Sequence, residues 1–237
     1  MSAINIVTFK WKKPTTGYRL KNPVEYSAAH VNSLYKAVAR NTTLPFKFTC
    51  VTDDAAGIDK KINIIHLWDK HKSLGGCYNR LFIFSEEIKN FLGERFICID
   101  LDCVIVDNID AILQRNEEFV INKFIGKDMH GQIYNGGLIL MTAGCRKNVW
   151  TDFDPTQSLT LLDRYRNEKN LVGSDQAWIQ VVLGNNESLF TEADGIYDYS
   201  FLPDRKLPLN AKMVFFPGKV DPSQEKDKNE WVAKHWG

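Results

Sequence analysis

The sequence has no apolar run near the roughly 18 residues that a membrane span requires, no internal repeat and no low-complexity tract. It also lacks charge of one sign. The formal net charge is +1, and like charges never run past two or three residues, so nothing gives the footprint of a nucleic-acid or basic membrane-binding protein. The 5 cysteines are scattered, with no C-x-x-C pair and no zinc-finger histidine spacing, which argues against a disulfide framework or a structural zinc site and for reduced, mostly buried thiols. The first ten residues, Met1 to Lys10, carry no basic leader and no cleavage site and read as a strand. A cytoplasmic location is therefore expected, in which the N-x-S/T sites at Asn41 and Asn186 stay unmodified. The composition, 44% hydrophobic and 25% charged over 237 residues, supplies enough apolar surface for a sizeable core.

The pattern that fills this frame is alternating strand and helix. Ile4–Phe9, Phe46–Thr52, Ile62–Leu67 and Phe96–Ile99 are short, nearly continuous apolar runs, as strands buried on both faces tend to be. Between them, helical spacing covers about Glu25–Arg40 and, after Gly75-Gly76, about Cys77–Phe91. A short helix at Ile109–Arg115, strands at Phe119–Asn122 and Leu138–Met141, and helices at Thr156–Glu168 and Ser174–Leu183 follow, with Ser174 placed as an N-cap. From Asn185 onward, short aromatic and proline-punctuated pieces replace the pattern. The expectation is a single α/β domain over 1–237, with a largely parallel sheet, a nucleotide-binding half over 1–110 and an acceptor-facing half over 111–237.

Chemistry concentrates at Asp100-Leu101-Asp102, which follows the apolar strand Phe96–Ile99. Carboxyl ends of strands in open α/β sheets are where ligands bind. Two carboxylates held side by side repel, and a divalent cation relieves that cost. Oxygen ligands favour Mg²⁺ or Mn²⁺, which can keep positions open for the oxygens of a diphosphate. A second family of readings stays open, because Ile97–Asp107 also looks like the first motif of haloacid-dehalogenase-type phosphatases, with Asp100 as nucleophile. Against it, such enzymes usually begin with that strand, and here almost a hundred residues precede it.

The ordered set Ile6-Val7-Thr8-Phe9, Val51-Thr52-Asp53-Asp54, Tyr78-Asn79-Arg80-Leu81, Phe96–Asp107, Tyr134-Asn135-Gly136-Gly137-Leu138 and Gly173-Ser174-Asp175-Gln176-Ala177-Trp178 resembles the type-A glycosyltransferases. Within them it is similar to the group that includes glycogenin and bacterial lipopolysaccharide galactosyltransferases. The resemblance covers about the first 180 residues. It implies a Rossmann-like nucleotide-sugar fold that moves a hexose, from a UDP-hexose by preference, to a hydroxyl acceptor on a glycan, lipid or other molecule, with retention. It implies roles as well. Thr8 and Asp53 would flank the base and ribose, Arg80 would face the donor sugar or diphosphate, and Asp100 and Asp102 would hold the metal. Asn135 would contact the sugar near the reacting carbon, Asp175 would bind sugar hydroxyls, and Gln176 would stand against the anomeric carbon.

Plainer roles compete with these. Arg80 can be a surface residue of an amphipathic helix, Asn135-Gly136-Gly137 a turn whose glycines supply positive φ, and Asp175 a first-turn acid favoured by the helix dipole. Where the resembling group has a metal-binding His and a phosphate-binding Lys, this chain has Val214–Pro222, with Phe at the His position. His235, between Trp231 and Trp236, is the candidate replacement ligand, and Lys219 the candidate phosphate contact. Tyr197, Tyr199 and Trp178 are candidates for a stacking floor under an acceptor sugar. A catalytically degenerate nucleotide- or carbohydrate-binding protein is the third reading.

Overall fold

The computed structural model describes residues 3–12, 25–67, 76–125, 131–169, 171, 174–218 and 220–237. Lys219 lies outside them, as do Gly75, Gly173 and the polar loop that follows the first strand.

Strands β1 (Ile4–Lys10), β2 (Phe46–Thr52), β3 (Asn63–His66), β4 (Arg95–Ile99), β6 (Phe119–Lys123), β7 (Tyr134–Thr142) and β8 (Ser188–Phe190) form one seven-stranded sheet in the order β3-β2-β1-β4-β7-β6-β8. Pairing is parallel for β1 with β2 and β4, β2 with β3, and β6 with β8, while β7 runs antiparallel to both its neighbours. The largely parallel α/β sheet expected from the apolar runs is what forms. Both faces are covered, since Ile6 packs in one core layer and its neighbour Val7 in the other, which explains why these strands are apolar throughout rather than alternating.

Helix α1 (Ala28–Asn41) buries Val31, Leu34, Ala37 and Val38 along one stripe. It starts at Ser27, whose hydroxyl accepts from the Ala29 amide, while the ring Nδ1 of His30 accepts from the Ser27 amide at 3.1 Å. That reciprocal cap places His30 where a Glu or Gln usually serves.

The helix expected over Cys77–Phe91 is not continuous. A 3₁₀ segment spans Gly76–Phe84, Ser85 turns extended (φ −69°, ψ 155°), and a second 3₁₀ turn leads into α2 (Lys89–Leu92). Tyr78 through Phe84 are all buried, so this segment has no solvent face for an amphipathic helix to present. Further on, α3 (Asp110–Leu113), α4 (Asn148–Thr151), α5 (Gln157–Glu168) and α6 (Asp175–Leu183) follow. Ser174 occupies the N-cap of α6 with extended backbone, yet its side chain makes no cap hydrogen bond.

The section after Phe190 adds β9 (Ile196–Asp198) and β10 (Met213–Phe215) to β5 (Cys103–Ile105) as a small sheet in the order β5-β10-β9, then α7 (Pro222–Glu225) and α8 (Glu230–His235). Its own core is aromatic: Tyr199 stacks on Phe216 at 4.3 Å, and Trp231 tilts against both. Among the described residues, no helix is long and apolar enough to cross a membrane.

Candidate active site

The carboxyl ends of β1, β2 and β4 bring the first candidates to one rim of the sheet. Thr8 is fully buried in β1, and its hydroxyl has no hydrogen-bond partner among the described residues. Asp53, just past β2, is exposed and accepts from the Lys12 amide at 3.0 Å, tying the β1 and β2 exits together. Asp100 follows β4, and its amide donates to the Gly137 carbonyl of β7 at 2.9 Å.

An irregularity in β7 completes the arrangement. Ile121 of β6 faces Ile139, but the next residue, Asn122, faces Asn135, so one step on β6 spans four on β7. The bulge lifts Gly136 and Gly137 off β6, and the Gly137 carbonyl meets the Asp100 amide, as bulges near active sites re-aim the chain. Asn135 accepts from the Gly137 amide at 2.7 Å, and Gln176 on α6 accepts from the Gly136 amide at 3.2 Å. This segment is therefore strand with a bulge, not a turn before one. Neither glycine has positive φ. Gly136 is required for space, because a Cβ there would stand 2.7 Å from an Arg80 nitrogen, and one at Gly137 would press on Asn135 and the Phe215 ring.

Arg80 joins the two halves. It is 4% exposed, which removes the surface-helix alternative. Its Nε donates to Asp175 Oδ2 at 2.8 Å, with Nη2 on the same oxygen, and its Nη1 donates to Asp100 Oδ1. Asp175 is 2% exposed, so its place in the first turn of α6 is accompanied by a buried ion pair. Such charge-assisted bonds are the strong ones, and breaking either side would leave a buried charge without its partner.

Beyond Asp100 the balance is negative. Burial pushes the Asp102 carboxyl well above the ordinary carboxylate range, with Asp100 and then Asp198 adding to the push. Burial likewise raises Asp100, against the opposing pull of Arg80. One oxygen of Asp102 is buried and has no hydrogen-bond partner among the described residues. Carboxylates crowded together with an orphaned oxygen are a donor set that fits a hard divalent cation.

Two neighbours of this pair carry no signal in the sequence. Tyr26, immediately before the α1 cap, has its phenol pushed up first by burial and then by Asp102, Asp100 and Asp221. Asp198 lies across β10 from Cys103, since Phe215 pairs with both, and burial lifts its carboxyl to about 6. Only the three-dimensional pairing of β5, β10 and β9 brings Asp198 near Asp102.

The remaining expectations are not gathered there. His235 is half-buried at the end of α8, its ring held below the usual imidazole range by burial, Lys234 and Arg40, with Asp107 opposing. Among the described residues, no three His, Cys, Asp or Glu side chains are grouped to hold one ion, so His235 does not join Asp100 and Asp102 in this conformation. Trp178 and Tyr199 do not form a stacking floor. Trp178 is buried, donates to the Val149 carbonyl at 2.8 Å and packs on Phe153, and Tyr199 is sealed against Phe216. Tyr197 is half-buried, with its hydroxyl on Asn210.

The whole architecture matches solved glycosyltransferases. The galactosyltransferase LgtC, in complex with donor and acceptor sugar analogues, superposes with a TM-score of 0.61 over 98% of this chain and 96% of LgtC, at 12% identity. An active-site mutant of LgtC with glutamate for glutamine gives 0.58 over 92% and 89%, also at 12% identity. The glycosyltransferase GlyE of Streptococcus pneumoniae TIGR4 gives 0.56 over 92% of this chain at 12% identity, and this chain spans 56% of GlyE. No family model and no curated protein matches the sequence. The chain has the type-A glycosyltransferase fold.

Proposed function

We propose that this chain, a type-A glycosyltransferase by fold, is a metal-dependent hexosyltransferase that takes a hexose from a nucleoside-diphosphate sugar, a UDP-hexose by preference, and delivers it to a hydroxyl acceptor with retention. The observation that carries the reading is the joining of buried Arg80 and Asp175 to half-buried Asp100, beside Asp102 and its oxygen without a hydrogen-bond partner among the described residues. Residues 1–110 form the nucleotide-binding half and 111–237 the acceptor-facing half of one domain. The 5 free thiols fit a reducing compartment, the cytoplasm.

Asp100 and Asp102 are the residues that would hold Mn²⁺ or Mg²⁺. When bound, the ion supplies positive charge to the diphosphate leaving group. Thr8 offers its free hydroxyl to the nucleoside, and Asp53 fixes the loop exits around it. Arg80 and Asp175, locked to each other, present a rigid polar wall to the sugar, and rigid placement is what orients a reacting centre. Asn135 and Gln176 each hold an amide of the β7 bulge, Asn135 that of Gly137 and Gln176 that of Gly136. Asp175 is committed to Arg80 and so is a poor nucleophile, which favours a front-face displacement over a covalent glycosyl intermediate. The same engagement of Asp100 by Arg80 disfavours the phosphatase reading. Lys219 and His235 enter as candidate contacts of the phosphate and the metal.

The test is a thermal-shift panel of UDP, GDP, CMP and their sugars with and without Mn²⁺. Ligand at a hundredfold over its Kd adds about 2.7 kcal/mol. At roughly 2–4 °C per kcal/mol for a domain this size, the shift is easily read. The expected result is a shift that needs nucleotide and Mn²⁺ together and vanishes in Asp102→Asn. Phosphate release from an aryl phosphate that depends on Asp100 would contradict it. A nucleotide shift without donor turnover over long incubation would leave only a binding protein.

A further inference from the structure

Two carboxylates, Asp100 and Asp175, meet the guanidinium of Arg80 at the rim, and Asp102 stands beside them with a buried oxygen that has no hydrogen-bond partner among the described residues. The guanidinium is not held evenly. Its Nε and Nη2 edge is bound to Asp175, which is 2% exposed and fixed in the first turn of α6. The Gly136 backbone closes that side so tightly that a Cβ would meet Nη2 at 2.7 Å. The opposite corner, Nη1, rests on Asp100, whose side chain is 33% exposed. One edge is therefore locked and the other reachable from solvent. Nη1 occupies one oxygen of Asp100, a residue that would hold the ion.

We propose that Arg80 is a resident counter-ion, displaced from Asp100 by the incoming divalent cation, and that the released Nη1 corner then receives the anionic diphosphate of the donor. The inference rests on the reading of Asp100 and Asp102 as metal ligands given above, and adds the exchange. Arg80 competes with the ion when nucleotide is absent. A diphosphate gives Nη1 another partner and removes that competition, so each ligand strengthens the other by the same factor. Asp175 is the pivot that keeps the guanidinium in place during the exchange.

The full chain tests this in two ways. In side-chain ¹⁵N NMR spectra, with Arg80 identified by its loss in Arg80→Lys, saturating Mg²⁺ without nucleotide should move the Nη1 signal and leave Nε, held by Asp175, in place. Mn²⁺ binding without nucleotide, followed by electron paramagnetic resonance, should tighten by about tenfold in both Arg80→Gln and Arg80→Lys, within the usual range of such couplings. The Lys variant separates contact from charge, because it keeps the positive charge but cannot bridge both carboxylates. If Arg80→Lys binds Mn²⁺ as the wild type does, or Mg²⁺ saturates the site without moving Nη1, the exchange is overturned while the metal site stands. If Mn²⁺ binding is indifferent to Asp102→Asn, the metal-ligand reading and the exchange both fall. The NMR arm uses unaltered protein, so a variant that misfolds does not shield the proposal.

Discussion

The carboxyl rim of β1, β2 and β4 and the section after Phe190 are held together by different physics. At the rim, main-chain ladders in continuous register set the positions: β1 pairs with β2 from Ile4 to Lys10 without a break, and Asp100 is fixed by its amide on Gly137. In the C-terminal section, individual side chains act as latches. Asp221 caps α7 by accepting from the Ser223 amide and also meets His30 Nε2 at 3.2 Å, across 191 residues. The Ser27 amide can only donate, so His30 Nδ1 accepts from it and Nε2 carries the proton toward Asp221. Arg40 of α1 donates to the carbonyls of His235 and Gly237 at 2.8 and 2.6 Å, pinning the chain end. A rim built on backbone tolerates side-chain change except where a side chain is the chemistry, whereas a latched segment depends on each latch.

The sharpest way to break that contrast is Gly136→Ala. The added methyl meets the guanidinium of Arg80, and overpacking of this kind costs about 1–3 kcal/mol. Moving the guanidinium should lower transfer activity on the order of 100-fold, the scale of losing one preorganised charge contact. Hydrogen exchange in α7 and α8 should stay as in the wild type. Exchange that rises there as well would mean that rim and latches are one unit.

Asp221→Ala tests the other side. It removes a helix cap and leaves a buried His30 N–H unpaired, each a loss of about 1–2 kcal/mol. Faster exchange is expected in α7 and α8, together with a lower Tm, while the joint response to nucleotide and Mn²⁺ persists. A loss of that response as complete as in Asp102→Asn would place the latch inside the binding site.

The smallest expected effect is a change of slope. Burial lifts Asp198 from 3.8 to about 6 in the folded chain, so the folded state holds this proton more tightly than the unfolded one. Its contribution to stability is therefore present below about pH 4 and declines as pH rises through about 6. Asp198→Asn keeps an acceptor for the Ser200 amide and should flatten that part of the stability curve in metal-free buffer. An unchanged slope in chemical denaturation would show that the Asp198 carboxyl is not buried in the folded chain.

The same division decides what could be read in advance. The strands of the rim were legible because burial on both faces demands continuous apolar runs, and Asp100 and Asp102 because they interrupt such a run at its carboxyl end. The partnership of Arg80 with Asp175 was not, since the two stand 95 residues apart and Cys77–Phe91 mimics an amphipathic helix in its spacing. Gly136 and Gly137 looked like turn residues, for the alphabet does not distinguish a glycine needed for φ from one needed for room. Tyr26, His30, Asp198 and Asp221 escaped notice altogether, because their surroundings exist only once β5, β10 and β9 pair and α1 meets the C-terminal section.

The central claim is that the rim around Asp100 and Asp102 holds a divalent ion that also binds the donor diphosphate. Anomalous diffraction at the manganese edge, from crystals soaked in Mn²⁺ and UDP, addresses it most directly. The account predicts one strong peak in contact with Asp102 and Asp100 and with oxygens of both phosphates, at about 2.0–2.2 Å as hard cations of this size require. UDP bound in full with no manganese between it and the two aspartates would contradict it.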